Sequence, residues 1–269
     1  MQKITRWAVP IAFFFALAAF LYLAPPGLLG KADAVGYAVC HRISERSFHL
    51  GTRQLPMCAR DTGTFTSAAV TLLILSLRKP KRGGMPVKKI AAVLILFFLI
   101  WAVDGSNSYL YLLKESLGAF PQLANIYIPN NTLRLLTGTG MGMGMGTVLY
   151  AAFNQSVWKE LDMRPALENW RDLGLLIVLM FFVDLAILTE SPLVLYPVAL
   201  ISVLGVLALL SLIFTVVWVM VTREENAFSS LREMWIPLTA GMTLTLIMLL
   251  AIDIFRFRLT GTWGAFPLG

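Results

Sequence analysis

Residues 78–113 read RKPKRGGMPVKKIAAVLILFFLIWAVDGSNSYLYLL. Six basic residues, Arg78, Lys79, Lys81, Arg82, Lys88 and Lys89, stand together with no acid among them. An apolar run follows from Ile90, long enough for the hydrocarbon core of a bilayer, which takes about 20 helical residues to cross. Lysine and arginine beside the ends of spanning helices stay on the cytoplasmic side. The stretch therefore predicts a transmembrane helix, Ile90 to about Leu113, and the face on which it begins. Its outer third turns polar at Asp104-Gly105-Ser106-Asn107-Ser108.

Reading outward from this helix gives the rest of the architecture. Upstream, Thr62 to Leu77 is a short span, and Trp7 to Ala24 another. The latter follows Lys3 and Arg6, as a signal peptide would. It is too long for a signal-peptide core and runs into Pro25-Pro26-Gly27 instead of a small-residue cleavage site, so it reads as a retained first span. Downstream lie apolar runs at about Thr132 to Phe153, Leu173 to Leu188, Leu193 to Val221 and about Trp235 to Phe255. The break between the fifth and sixth is Glu190-Ser191-Pro192. The expected fold is an all-α bundle of about seven spans, with six as the alternative. It forms one integral membrane domain over residues 1–269, with a polar loop from Lys31 to Asp61.

Composition supports this. Of 269 residues 58% are hydrophobic and 14% charged, against about 25% charged in soluble domains. So little charge could not cover a surface facing water. The net charge of +7 is concentrated in short loops, where it sets orientation, and nucleic acid is not an expected partner. Counting from the basic loop puts the N-terminus in the cytoplasm, the Lys31–Asp61 loop and the C-terminus outside, and the protein in the cell membrane as a multi-pass chain. The Lys31–Asp61 loop, with five basic and three acidic residues, pulls weakly the other way. The denser cluster at 78–89 outweighs it.

Gly138, Gly142 and Gly146 recur every fourth residue in a Gly-Met-rich stretch. They share a helix face on which another backbone can pack closely. A flexible hinge or a methionine-lined metal path is the functional alternative.

Both cysteines and both histidines of the chain, Cys40, Cys58, His41 and His49, fall in the Lys31–Asp61 loop. Zinc takes thiolate, imidazole and carboxylate ligands in tetrahedral geometry. Cys40, Cys58, Asp61 and one histidine, His41 the nearer, form a candidate set. A Cys40–Cys58 disulfide is equally compatible outside the cytoplasm and would close a loop worth about 3 kcal/mol. Two ordinary reduced cysteines are the third reading.

Charges inside apolar spans carry the stronger signal. Asp104 lies 14 residues beyond Ile90, about 21 Å into the membrane at ~1.5 Å per residue. An ionised side chain at such depth costs about 2.5 kcal/mol or more unless paired or hydrated. Asn107 and Ser108 share its helix face. Asn130, Asn131 and Arg134 open the fourth span, with Thr137 a turn deeper. Asp184, Glu190, Asp253, Arg256 and Arg258 also fall in outer halves or at outer ends. This one-sided distribution predicts a water-filled pocket open to the outside. Its structural counterpart is an Asp104 that pairs with Arg134 or Arg60 only to hold helices together.

These residues resemble a family of predicted bacterial and archaeal membrane proteins, domain of unknown function 2085 (DUF2085). Its pattern is Cys-His-x-x-x-Glu-Arg-Ser-Phe, then Pro-x-Cys-Ala-Arg-Cys-Thr-Gly, an Asp-Gly pair, and Asn-x-x-Arg-x-x-Thr-Gly. Here those are Cys40-His41, Glu45-Arg46-Ser47-Phe48, Pro56-Met57-Cys58-Ala59-Arg60, Thr62-Gly63, Asp104-Gly105, and Asn131 with Arg134, Thr137 and Gly138. The resemblance covers about Val39 to Gly146. Asp61 stands where the pattern has its last cysteine, which weakens a thiol-redox reading and leaves a metal reading with a carboxylate ligand. The family implies no activity.

The function these residues predict is a membrane-embedded site, facing outward, that binds an anionic or lipid-linked group. Arg42, Arg46, Arg60 and Arg134 offer the planar fork that grips phosphate or carboxylate. Asn107, Asn131 and Thr137 add polar contacts, and Asp104 is the candidate acid, base or metal partner beside Arg60 and Arg134. Membrane lipid is an expected partner, and zinc the cofactor the donor set suggests. The rivals are a structural subunit of a membrane complex and a transporter. A transporter should be polar on both sides of the midplane, whereas this chain is polar on one. A quinone-linked disulfide-exchange enzyme would carry Cys-x-x-Cys, which is absent.

Overall fold

The computed structural model describes residues 2–264. The side chains of residues 2–6, including Lys3 and Arg6 of the orientation argument, lie outside the described residues, as do residues 265–269. Eight α-helices run in the order α1 (Gln2–Leu23), α2 (Leu28–Val39), α3 (Ala59–Arg78), α4 (Lys88–Leu117), α5 (Asn131–Val157), α6 (Trp170–Leu188), α7 (Pro192–Thr222) and α8 (Trp235–Thr260). Two small ladders accompany them: β1 (His49–Leu50) with β2 (Arg53–Gln54), antiparallel, and β3 (Arg82–Gly84) with β4 (Asp162–Pro165), parallel.

By length and composition, α4, α7 and α8 can cross a membrane, and α1 with α2 makes a fourth if that pair, bent by 104°, counts as one. The other long helices, α3, α5 and α6, fall short of this standard. The sequence gives the reason. Serine, threonine and glycine crowd α3 and α5, and α6 carries Arg171, Asp172 and Asp184. The outward face of α4 is aliphatic and aromatic, with Ile95, Leu96, Phe98, Leu99 and Val103 exposed. A band of that kind suits lipid, not water.

The helix ends follow local chemistry. Asn130 caps α5, its side chain accepting the Leu133 N–H at 2.9 Å. Asn169 caps α6 through the Arg171 and Asp172 N–H groups. Such caps satisfy amide groups that have no partner in the first turn. Pro192 opens α7, where its missing N–H is harmless, and exposed Glu190 turns the chain before it with φ 52°.

The glycine face does what its spacing predicts. A Cβ on Gly142 would stand 2.0 Å from the Thr64 carbonyl oxygen, and one on Gly138 2.1 Å from that of Arg60. Only hydrogen fits between these backbones, so α3 and α5 lie against each other. Ser67 Oγ stitches them with a 2.9 Å bond to the Thr139 carbonyl. Met143 is buried in the apolar core behind this contact. The Gly-Met stretch packs, as the first of its two sequence readings has it.

The loops collect at two ends. At one end, the 79–87 loop pairs with the 158–169 segment and the first turn of α6: Lys79 binds Asp172 of α6, and Arg82 lies 3.0 Å from Glu168 and 3.6 Å from Asp162. Lys81 reaches the Ser229 carbonyl at 2.8 Å and stands over the Trp158 ring. At the other end, residues 40–61 fold over α4 and α5. The polar stretch expected as a loop from Lys31 to Asp61 contains more order than its composition announced. α2 occupies its start, burying Ala32, Ala34, Val35 and Tyr37, and Asp33 within it holds Arg42 and Arg53.

Candidate functional site

Asp104 is 1% exposed, and each of its carboxylate oxygens is engaged. Oδ2 accepts from Arg60 Nη2 at 2.5 Å, Arg60 Nε at 3.2 Å and Thr137 Oγ1 at 3.1 Å. Oδ1 accepts from the Tyr127 hydroxyl at 2.5 Å. Arg60 also donates to the Asp104 carbonyl and to Ser108 Oγ. Three helices and the 118–130 loop thus converge on one carboxylate. The α3–α5 glycine contact sets this up, because it holds Arg60 of the first turn of α3 beside Thr137 of α5.

Two further guanidinium groups stand close by. Arg46 donates to the Ser108 carbonyl at 3.2 Å. Its pKa lies below the ordinary arginine range, first because it is desolvated and next because of the Arg60 charge; Cys58, Glu115 and Glu45 oppose this. Arg134 is buried, and the charges of both Arg46 and Arg60 bear on it. Among the described residues its guanidinium makes one hydrogen bond, from Nη1 to Asn131 Oδ1 at 2.9 Å, and its Nε has no partner. Asn131 in turn donates to the Glu45 carbonyl at 3.3 Å, tying the 40–61 segment to the top of α5. Three arginines therefore surround one buried carboxylate. The two carboxylates that act on Arg46, Glu45 and Glu115, are exposed.

The remaining expected residues divide. Asn107 is buried and organises the loop above the site: its Nδ2 donates to the Tyr127 carbonyl, and its Oδ1 accepts from Ile126 N and Asn125 Nδ2. Arg42 is engaged away from the three arginines, with Asp33 at 3.0 Å and the Trp263 carbonyl at 2.9 Å. Asp184 sits on α6, bonded by Thr139 Oγ1 at 2.9 Å. Asp253 is buried on α8 with Oδ1 unpartnered, while Arg256 binds the carbonyls of Tyr37, Cys40 and His41 and lies over the Tyr37 ring. Glu190 and Arg258 are exposed. Tyr127 was not among the expected residues. Burial, and then its bond to Asp104, pushes its pKa up to about 12.

Cys40 and Cys58 are free thiols. Their sulfurs and an Asp61 carboxylate oxygen all lie within 4.8 Å of one another. Cys40 Sγ accepts two backbone N–H groups, from Cys58 at 3.2 Å and Arg42 at 3.4 Å. Cys58 Sγ donates to Asp61 Oδ2 at 3.1 Å. The Cys40 hydrogen bond, desolvation and the Asp61 charge hold the Cys58 thiol well above the usual thiol range. His41 is not brought to this group. Cys40 is extended, with φ −131° and ψ 147°, and successive side chains of extended backbone point opposite ways. The His41 side chain is accordingly exposed. His49 is paired locally, with Ser44 Oγ at 3.1 Å.

Beside Asp104, an open groove of ≈ 330 Å³ runs between α4, α5 and α6, walled by Phe97, Leu133, Leu136, Met180 and Asp184, with Thr137 common to groove and site. A larger space of ≈ 770 Å³ lies at the basic-loop end among Leu72, Tyr150, Trp158 and Leu204. Its exposed wall is mainly apolar, with Lys81, Tyr150 and Asn154 among the lining residues.

Residues 40–148 match the family described as Predicted membrane protein (DUF2085). The matched segment runs from Cys40 to within one turn of the last glycine of the α5 face, and so includes Arg46, Arg60, Asp104, Tyr127 and Arg134. No curated protein and no solved structure matches the chain.

Proposed function

We propose that this chain is a seven-span helical membrane protein whose Arg46–Arg60–Arg134 cluster binds an anionic group, phosphate or carboxylate, at the extracytoplasmic face. The carrying observation is Arg134. It is buried and stands beside two other arginines, and among the described residues its guanidinium makes one hydrogen bond and leaves Nε without a partner. Removing an unpaired charge from water is expensive, and like charges side by side add to that. An anion seated among the three guanidinium groups removes both penalties, and the arginine fork is the geometry that takes one bidentately. Asp104 is saturated by its own neighbours, so its part is to position Arg60 and Tyr127.

The spanning count is supported by seven helices of 19 residues or more and by loops that collect alternately at two ends. The six-residue basic cluster favours a cytoplasmic position for the end that holds it. The groove that shares Thr137 with the site favours a lipid-linked anion, its chain along the groove and its charged head at the arginines. A structural-subunit reading has one observation behind it, the complete satisfaction of Asp104 within the chain.

Calorimetric titration of the protein in nanodiscs with inorganic phosphate and with a single-chain alkyl phosphate tests the proposal. We expect the alkyl phosphate to bind the wild type and Arg134→Lys to weaken it at least about tenfold, because lysine lacks the fork. Absence of binding by both probes, or equal binding by Arg134→Lys, would overturn it. Equal affinity for both probes would keep the anion site and remove the lipid chain.

A further inference from the structure

The anion-binding reading leaves Cys40, Cys58 and Asp61 without a role. We infer that these three side chains are the protein ligands of one thiophilic divalent cation of the zinc class, with the fourth coordination position left to an exogenous group. The donors converge from separate elements. Cys40 caps the end of α2, Cys58 caps the start of α3, and Asp61 lies in the first turn of that helix. Sulfur, sulfur and oxygen within 4.8 Å of one another need only small side-chain rotation to reach metal–ligand distances of about 2.0–2.3 Å.

Backbone N–H groups and a helix N-terminus face the three donors. Cys40 Sγ accepts two backbone N–H groups, from Cys58 at 3.2 Å and Arg42 at 3.4 Å, which hold the sulfur where the two helix ends meet. The N-terminus of α3 carries a partial positive charge that stabilises anions at its cap and first turn, where Cys58 and Asp61 sit. Arg256 donates to the Cys40 carbonyl at 2.5 Å and fixes the peptide that carries the first ligand. Binding would release one proton from each thiol, and the cation would bond two thiolates and a carboxylate.

Donor chemistry selects the metal. Two sulfurs exclude calcium and magnesium, which take oxygen ligands, and favour zinc and its softer relatives. His41, the fourth ligand that the sequence offered, is turned away. Three protein ligands with one open position are the arrangement that leaves room for water or a bound group. Arg46 is near enough for its charge to act on Cys58, so an anion would be drawn to that open position.

The test uses the full chain in detergent, reduced, stripped with a chelator and titrated with Cd²⁺ and then Zn²⁺. We expect one Cd²⁺ per chain, a cadmium–thiolate absorption band in the ultraviolet and protection of both thiols from alkylation. Cys58→Ser should abolish the band. Asp61→Ala should keep it while weakening affinity at least about tenfold, the minimum seen on losing even an outer-shell partner. If Cys58→Ser fails to fold, the wild-type band and the Asp61→Ala affinity decide. No band in the reduced wild type, an Asp61→Ala affinity equal to wild type, or isolation of the chain from cells with Cys40 and Cys58 joined would each overturn the inference.

Discussion

Arg60 and Asp104, 44 residues apart in the chain, meet at 2.5 Å, the aspartate fully buried and the arginine partly so. Breaking a buried pair from one side leaves an uncompensated charge, whereas replacing both partners by apolar residues is often close to neutral. Arg60→Met should therefore destabilise the protein by about 3–5 kcal/mol, and Arg60→Met with Asp104→Leu should recover most of that loss. Unfolding in detergent followed by circular dichroism measures both. A double variant no more stable than the single would show that hydrogen bonds from Tyr127 and Thr137, and not the ion pair, hold these helices.

The glycine face makes a paired prediction. Gly142 has the Thr64 oxygen 2.0 Å from its absent Cβ, while Gly144, two residues on, has nothing nearer than Leu94 at 4.0 Å. Gly142→Leu should cost more than about 3 kcal/mol, at the upper end of overpacking penalties. Gly144→Ala should be neutral or stabilising by up to about 1 kcal/mol. Unfolding midpoints of the two variants in one detergent settle the matter, and equal midpoints would contradict the close α3–α5 approach.

The phenol of Tyr127 gives the pH dependence. Its pKa in the folded protein, about 12, lies above the unfolded value near 10. The folded state therefore holds this proton more tightly. The stability this contributes is full below pH ~10 and lost as pH rises through ~12. Ultraviolet difference titration should show a phenol ionising near pH 12 that is lost in Tyr127→Phe. Loss of a phenol that ionises at an ordinary pH instead would contradict the bond to Asp104.

Orientation is checked with fusions. A reporter active only outside the cell should be silent when inserted near Gly83, in the basic loop, and active near Gly51, in the β1–β2 turn. The reverse pattern would place the arginine cluster in the cytoplasm.

Much of the arginine cluster could be read before any coordinates. A carboxylate far inside an apolar span must find a partner, which singled out Asp104, and arginines with a threonine at the mouths of neighbouring spans supplied candidates in Arg60, Arg134 and Thr137. The glycine period foretold a close approach by another helix, and the structure makes that helix α3. What stayed hidden had no local signature. Tyr127 is one aromatic in a loop, and its bond to Asp104 depends on how residues 118–130 fold back. α2 was obscured because Gly30, Lys31, Asp33 and Gly36 look like loop, although Asp33 serves as the anchor for Arg42 and Arg53. His41 was overcounted as a ligand because adjacency in sequence carries no direction in extended backbone. Arg42, likewise counted with the anion-binding arginines, is occupied by Asp33.

One consequence follows from the bare contact between α3 and α5. Where side chains separate two helices, rotamer changes let the gap breathe. Here Gly138 and Gly142 place backbone against backbone, with only the short Thr64 and Ser67 side chains at the contact. Arg60 stands at the carbonyl that touches Gly138, and Arg134 lies one turn before that glycine. Their separation is consequently gauged by the peptide framework, like the jaws of a fixed spanner. An anion bound as proposed would meet two arginines whose main-chain spacing is set before it arrives.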